Sequence, residues 1–202
     1  MHVDRNDSTV AGMREEHDEM FGLLLAGYAS QAVRTLAGLS VAELLEDGEL
    51  TAQQIAAYAS SDPDMTYRVL RAGVALGLLK YDKVAQTFAG TSRLGVLHKN
   101  SPFTLKHYPQ AIGGPAFWHT SLRLPDSVRR GRNYVEEALG GDLWNFYDRN
   151  MTRRGCFARA MTDVSERRFL YRDPVQRPPR HESRSACLHR RDDVCRPGRS
   201  WT

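Results

Sequence analysis

Three features of the sequence predict a mainly α-helical fold with a winged-helix core, a helix-turn-helix followed by a small β-hairpin. Three short segments between Ser40 and Leu76 carry helix start and stop signals in close succession. Two β-compatible tetrads flanking Asp82-Lys83 come next. On either side, residues 13–37 and 103–161 keep apolar residues at roughly helical spacing.

Residues 1–11 read as a disordered leader. From Met13, the positions Met20, Leu24, Tyr28, Val33 and Leu36 predict one or two helices to Ala37. Phe21 to Leu25 is apolar almost all round, which implies burial on several sides, against the chain's own core or a second subunit. Ser40-Val-Ala-Glu43 and Thr51-Ala-Gln-Gln54 both fit a capping box, in which the hydroxyl takes an orphan amide and the acid or amide side chain reaches back. The first of these helices should stop at Asp47-Gly48. The second should turn Ile55 and Tyr58 inward and end near Ser60. Asp62-Pro63 supplies a cap and a proline at the first helical position for a third helix to Leu76, with Tyr67, Leu70 and Val74 on one face. Leu78–Tyr81 and Gln86–Ala89 form the hairpin, and a further helix from Thr91 or Ser92 faces Leu94 and Leu97 inward.

Between Phe103 and Met161 the helical pattern breaks at Gly113-Gly114-Pro115 and Gly140-Gly141. Aromatic residues concentrate there: Tyr108, Phe117, Trp118, Tyr134, Trp144, Phe146, Tyr147 and Phe157. A last helix over about 151–166 places Phe157, Met161 and Val164 on one face. The domain organisation is therefore a leader 1–11, a winged-helix domain 12–100, a helical extension 101–166 and an Arg/Pro-rich disordered tail 167–202.

The net charge of +4 conceals a division. Residues 167–202 hold ten arginines and four acids, whereas residues 1–166 hold 18 basic and 20 acidic residues. The folded body is thus mildly acidic, which counts against a nucleic-acid partner despite a pI near 9.1. No apolar run approaches the ~20 residues of a membrane span, and the polar start is not a secretory signal. Three cysteines, Cys156, Cys187 and Cys195, are too few for a disulfide framework, so a cytoplasmic location is expected.

A winged helix invites a DNA-binding reading, but the third helix offers only Arg68, Arg71 and Thr66 on its outer positions, and the hairpin only Lys80 and Lys83. Solvated or ion-paired side chains explain these residues as well. His181, Cys187, His189 and Cys195 cluster in the tail without the paired spacings of a zinc module, so no metal site is expected. His107 and His119 have acid–base chemistry available but no visible partner. No P-loop, nucleophile elbow, HExxH or Gly-rich turn after an apolar strand occurs, so no catalytic or cofactor-binding residue is assigned.

Leu50-Thr-Ala-Gln-Gln-Ile-Ala-Ala57, Tyr67-Arg-Val-Leu-Arg-Ala72, Ala75-Leu-Gly-Leu78 and Phe88 to Gly95 are together similar to the N-terminal domain of SAM-dependent O-methyltransferases of small-molecule and antibiotic pathways. Trp118, Ser127-Val-Arg-Arg-Gly131, Trp144-Asn-Phe-Tyr147 and Phe157-Ala-Arg-Ala-Met161 resemble the helices leading towards the catalytic domain of that family, so that the likeness covers about residues 16–166. It implies a homodimer through intertwined N-terminal helices, a winged helix that does not read DNA, SAM as donor in the intact enzyme and a small aromatic or polyketide-like acceptor. By position in the family pattern, Trp118, Phe146, Phe157 and Met161 are the candidates for one wall of the acceptor pocket; the plainer role for all four is domain core. The strand and Gly-rich turn that hold SAM should open shortly after Glu166, where the sequence instead passes into the arginine-rich tail. A truncated or frameshifted family member, inactive by itself and binding no cofactor, is the expectation, with a short protein that keeps only the dimerisation half as its variant. A winged-helix transcriptional regulator with a ligand-sensing helical region is the alternative from another class.

Overall fold

A computed structural model describes residues 4–170, with side chains placed from residue 12 to residue 165. The His181, Cys187, His189 and Cys195 group and most of the expected tail lie outside those residues. Helix α1 (Asp4–Gly38) is one continuous 35-residue element. It takes in most of the stretch expected as a leader, because no proline or glycine interrupts residues 4–11 and extending a nucleated helix costs less than starting one.

The Ser40–Glu43 capping box does not form. Ser40 sits in the left-handed region (φ 55°, ψ 37°) with no side-chain cap, and α2 (Val41–Leu44) is a single turn that stops before Asp47. Lys106 explains the difference: its ammonium donates to Ser40 Oγ at 3.0 Å and pairs with the Glu43 carboxylate. A charge-assisted bond outcompetes the neutral amide that a capping box would satisfy. The second box does form. Thr51 Oγ1 accepts from the Gln54 amide at 3.2 Å while Gln54 Oε1 accepts from the Thr51 amide at 2.8 Å, opening α3 (Ala52–Ala59). Helix α3 buries Ala52, Ile55 and Ala56; Tyr58 falls beyond that face and is exposed, contrary to the expected inward position. Ser60 ends the helix in the left-handed conformation.

Asp62 Oδ1 accepts from the Met65 amide at 2.8 Å and Pro63 takes the first position of α4 (Pro63–Ala75). Thr66, expected at an outer position, is buried at 2% exposure, where its hydroxyl bonds Ser61 Oγ at 2.7 Å. Strands β1 (Leu50–Thr51), β2 (Leu79–Asp82) and β3 (Thr87–Gly90) form an antiparallel sheet in the order β1-β3-β2. The hairpin is shifted by about one residue from its expected limits, and β1 was not anticipated, since two residues carry no readable period. Thr91 caps α5 (Ser92–Gly95), and Leu94 and Leu97 are buried as expected.

The main core joins Leu36 of α1, Val41, Ile55, Leu70, Leu79 and Phe88. Phe88 stands opposite Leu50 and Tyr81 in the sheet, and its ring meets Tyr67 edge-on at 5.9 Å. At Gly73 the helices close up: a Cβ there would lie 2.9 Å from Leu79 Cδ1 and 3.0 Å from Leu36 Cδ1. Six further helices follow: α6 (Tyr108–Ile112), α7 (Pro115–Ser121), α8 (Leu124–Arg130), α9 (Val135–Leu139), α10 (Leu143–Asp148) and α11 (Met151–Leu170). The expected glycine breaks separate α6 from α7 and α9 from α10. Ala116, Leu139 and Tyr147 form a second core with Phe117 and Phe157 against it. No described helix is long and apolar enough to cross a membrane.

Candidate functional site

Two features stand out from the packed body. The first is the surface of α1, where Met20, Phe21, Leu23, Leu24, Leu25 and Tyr28 remain between 43% and 78% exposed. Among the described residues, the chain's own core does not cover the segment from Phe21 to Leu25. The helix joins the main core from Val33 onward, through Val33, Leu36 and Ala37.

The second is a cleft of about 190 Å³ where α1 meets the α6–α7 junction and the α10–α11 pair. Its construction starts from polar residues on α1. Gln31 Nε2 donates to the Gly113 carbonyl at 2.9 Å, and Arg34 Nη1 donates to Gln31 Oε1 at 3.1 Å. From the other side, Gln110 Nε2 donates to the Arg34 carbonyl. Glycine is required at 113, since a Cβ would lie 2.7 Å from the Pro109 carbonyl oxygen and 2.8 Å from Arg34 Cδ. Opposite, Tyr147 is buried and stacks on Phe157 at 4.7 Å, Phe146 meets Tyr147 edge-on at 5.7 Å, and the Arg153 guanidinium lies 5.5 Å from the Phe146 ring centre. Burial pushes the Tyr147 hydroxyl and the Cys156 thiol up from their ordinary values, in the latter case against the pull of Arg159 and Arg34. Burial thus disfavours the thiolate, the nucleophilic form, at Cys156. Its Sγ lies 3.8 Å from the His107 carbonyl oxygen.

The structure brings Phe146 into the cleft and Phe157 directly behind it. Trp118 turns towards α1, with its ring edge 3.2 Å from a Cβ position on Gly27. Met161, one turn beyond Phe157, is 36% exposed, and Ala160 is fully buried in its stead. Sequence reasoning missed Arg34, Gln110, Tyr147, Arg153 and Cys156. One signal for the first existed: Gln31 and Arg34 are polar residues one turn apart in the part of α1 where Val33, Leu36 and Ala37 pack.

The other singled-out side chains resolve into structural roles. His107, without a visible partner in the sequence, has one: Asp163 Oδ2 lies 3.2 Å from its Nδ1 and accepts its backbone amide at 3.2 Å, fastening α11 to the start of α6. His119 is exposed. Arg71 donates to Tyr67 Oη at 2.9 Å and covers the Tyr81 ring at 5.0 Å, so this side chain serves the α4–hairpin joint; Arg68, Lys80 and Lys83 are exposed. Among the described residues, no group of three or more His, Cys, Asp or Glu side chains is arranged to hold a metal.

Comparison with known proteins agrees with this architecture. Residues 21–99 match the model of the O-methyltransferase dimerisation domain. The O-demethylpuromycin-O-methyltransferase of Streptomyces alboniger is 28% identical over 161 residues, covering 74% of this chain and 41% of that protein. The mitomycin biosynthesis 6-O-methyltransferase of Streptomyces lavendulae is 25% identical over 143 residues, covering 71% and 41%. The chain therefore spans about two fifths of the length of the curated relatives it matches. The crystal structure of CalO1, a methyltransferase in calicheamicin biosynthesis, in its SAH-bound form, shares the fold with a TM-score of 0.65 at 23% identity over 81% of this chain and 46% of that one. A mainly helical body with a small three-stranded sheet and an outward apolar α1 accompany this match, and residues 21–99 are similar to the O-methyltransferase dimerisation domain.

Proposed function

We propose that this chain supplies the subunit-pairing part, and one wall of the acceptor site, of a SAM-dependent O-methyltransferase acting on an aromatic or polyketide-like natural product. In this reading residues 12–100 are the pairing domain, with α3, α4 and the β2–β3 hairpin as a winged helix used as scaffold. Residues 101–166 are the helices that face the acceptor. The order helix, helix, hairpin after α2 and the commitment of Arg71 to tyrosines support the scaffold role over DNA reading. The aromatic floor of Phe146 and Tyr147, backed by Phe157, supports the acceptor role. The described residues do not fit a nucleotide-type methyl donor, because the sheet is three short antiparallel strands and no strand leads through a glycine-rich turn into a long helix. Their proposed contribution is thus to pair subunits, orient the acceptor and exclude water rather than to transfer a methyl group.

The observation that carries the pairing role is the exposed apolar row on α1. A row of six large side chains is more than a monomer of this size leaves to water without a partner. Closed two-fold pairing covers it with the same row of a second copy. Light scattering of the full chain at about 10⁻⁵ M is expected to give a dimer. Leu24→Glu, which sets charges into the row, is expected to give a monomer with an unchanged circular-dichroism spectrum. A monomeric wild-type chain at that concentration overturns the pairing role.

A further inference from the structure

The charge of the cleft assigns a chemical class to what it holds, an inference that rests on the acceptor reading above. Two arginines, Arg34 and Arg153, line it, and no aspartate or glutamate does. Neither arginine forms an ion pair among the described residues, although four other arginine–carboxylate contacts occur elsewhere in this region of the chain. Arg34 gives only Nη1, to a neutral amide, and its Nε is buried without a hydrogen-bond partner. A buried N–H of a permanently charged group left unpaired is costly unless something completes it. Arg153 is exposed at the mouth, above Phe146. The one carboxylate acting on Cys156, Asp163, is already engaged by His107, while Arg159 and Arg34 act on the same thiol with the opposite sign.

We propose that the cleft takes an aromatic acceptor bearing a carboxylate, its ring on Phe146 and Tyr147 and its carboxylate paired with Arg34 and Arg153. The planar guanidinium matches a carboxylate through two parallel hydrogen bonds, and the flanking ring gives the acceptor an apolar surface. At about 190 Å³ the cleft is smaller than the ~300 Å³ at which pockets for drug-sized ligands begin. That restricts the aromatic part to one or two fused rings.

Calorimetry of the full chain with 3-hydroxy-2-naphthoate and with its uncharged carboxamide tests the assignment. The carboxylate is expected to bind about tenfold or more tightly than the amide, as a charge-assisted pair requires. Arg153→Gln, at an exposed position on α11, is expected to reduce carboxylate binding to the level of the amide and leave the amide unaffected. Arg34→Lys, which keeps the charge but loses the fork, should weaken the carboxylate severalfold, and circular dichroism checks that both variants fold. Equal binding of the two probes overturns the anionic assignment and leaves the cleft as an aromatic acceptor wall. Failure of both probes to bind overturns the assignment together with the acceptor reading. Carboxylate binding that neither variant changes places the anion elsewhere and also overturns it.

Discussion

Gly73 is where the joint of α1, α4 and β2 is most sharply testable, because two effects of known size oppose each other there. In an exposed helix, replacing glycine by alanine gains roughly 1 kcal/mol of helix propensity. At Gly73 the added Cβ would lie 2.9 Å from Leu79 Cδ1 and 3.0 Å from Leu36 Cδ1, well inside the 3.5–4.0 Å optimum for carbon pairs. Both leucines are almost fully buried, at 2% and 0% exposure, so their methyls have little free space to move into. Over-packing of this kind costs about 1–3 kcal/mol. Set against each other, the two terms leave Gly73→Ala neutral to about 2 kcal/mol destabilising. For Gly73→Val the propensity gain falls to a few tenths while two further methyls enter, so a loss of about 2–3 kcal/mol is expected. Urea denaturation of both variants at matched chain concentration, since the stability of the proposed dimer depends on it, reads the difference. A valine variant as stable as wild type, or more so, would refute the close approach and leave helix propensity as the only active effect.

Thr51→Ala removes a complete capping box and should destabilise the chain by about 1 kcal/mol, measured as a shift in the urea midpoint. At Glu43, burial works to raise the carboxyl pKa, but hydrogen bonds from the Lys106 ammonium and the Lys99 amide outweigh it and hold the group below its ordinary value. A carboxylate whose pKa is lower folded than unfolded stabilises the fold above its unfolded value of about 4.3, and that contribution disappears as pH falls through the folded value. The gap in thermal midpoint between wild type and Glu43→Gln should therefore be full at pH 7 and shrink on acidification below about pH 4.3. A gap that is independent of pH would show that the carboxylate's charge is not what Lys106 stabilises.

The limits of sequence reading fall along a physical line. The Thr51–Gln54 box, the Asp62-Pro63 start, the Ser60 stop, the hairpin and the inward Leu94 and Leu97 were all legible, because each rests on contacts within a few residues or on a short apolar period. The Ser40–Glu43 box has the same local credentials and failed, because Lys106, more than sixty residues away, takes both of its side chains. Thr66 and Tyr58 were misplaced since which flank of a helix is covered depends on what packs there. Of the four aromatic and methionine candidates, Phe146 lines the cleft and Phe157 stacks on Tyr147 behind it, while Trp118 and Met161 do not line it. The arginines that give the cleft its charge were invisible because helices far apart in sequence meet there; the Gln31–Gly113 bond alone spans 82 positions.

By itself the sequence determined a mainly helical body, its capped helices and hairpin, its mildly acidic charge and an apolar segment at Phe21–Leu25 that had to be covered. These depend on composition, on period and on hydrogen bonds a turn apart. Only the tertiary structure decided that this segment faces away from the core of the described residues, that α1 and α4 close up at Gly73, and that two arginines without an ion pair among the described residues share one aromatic cleft. Those outcomes follow from which surfaces remain after the core has closed, a sum over all the elements that no single stretch of the chain contains.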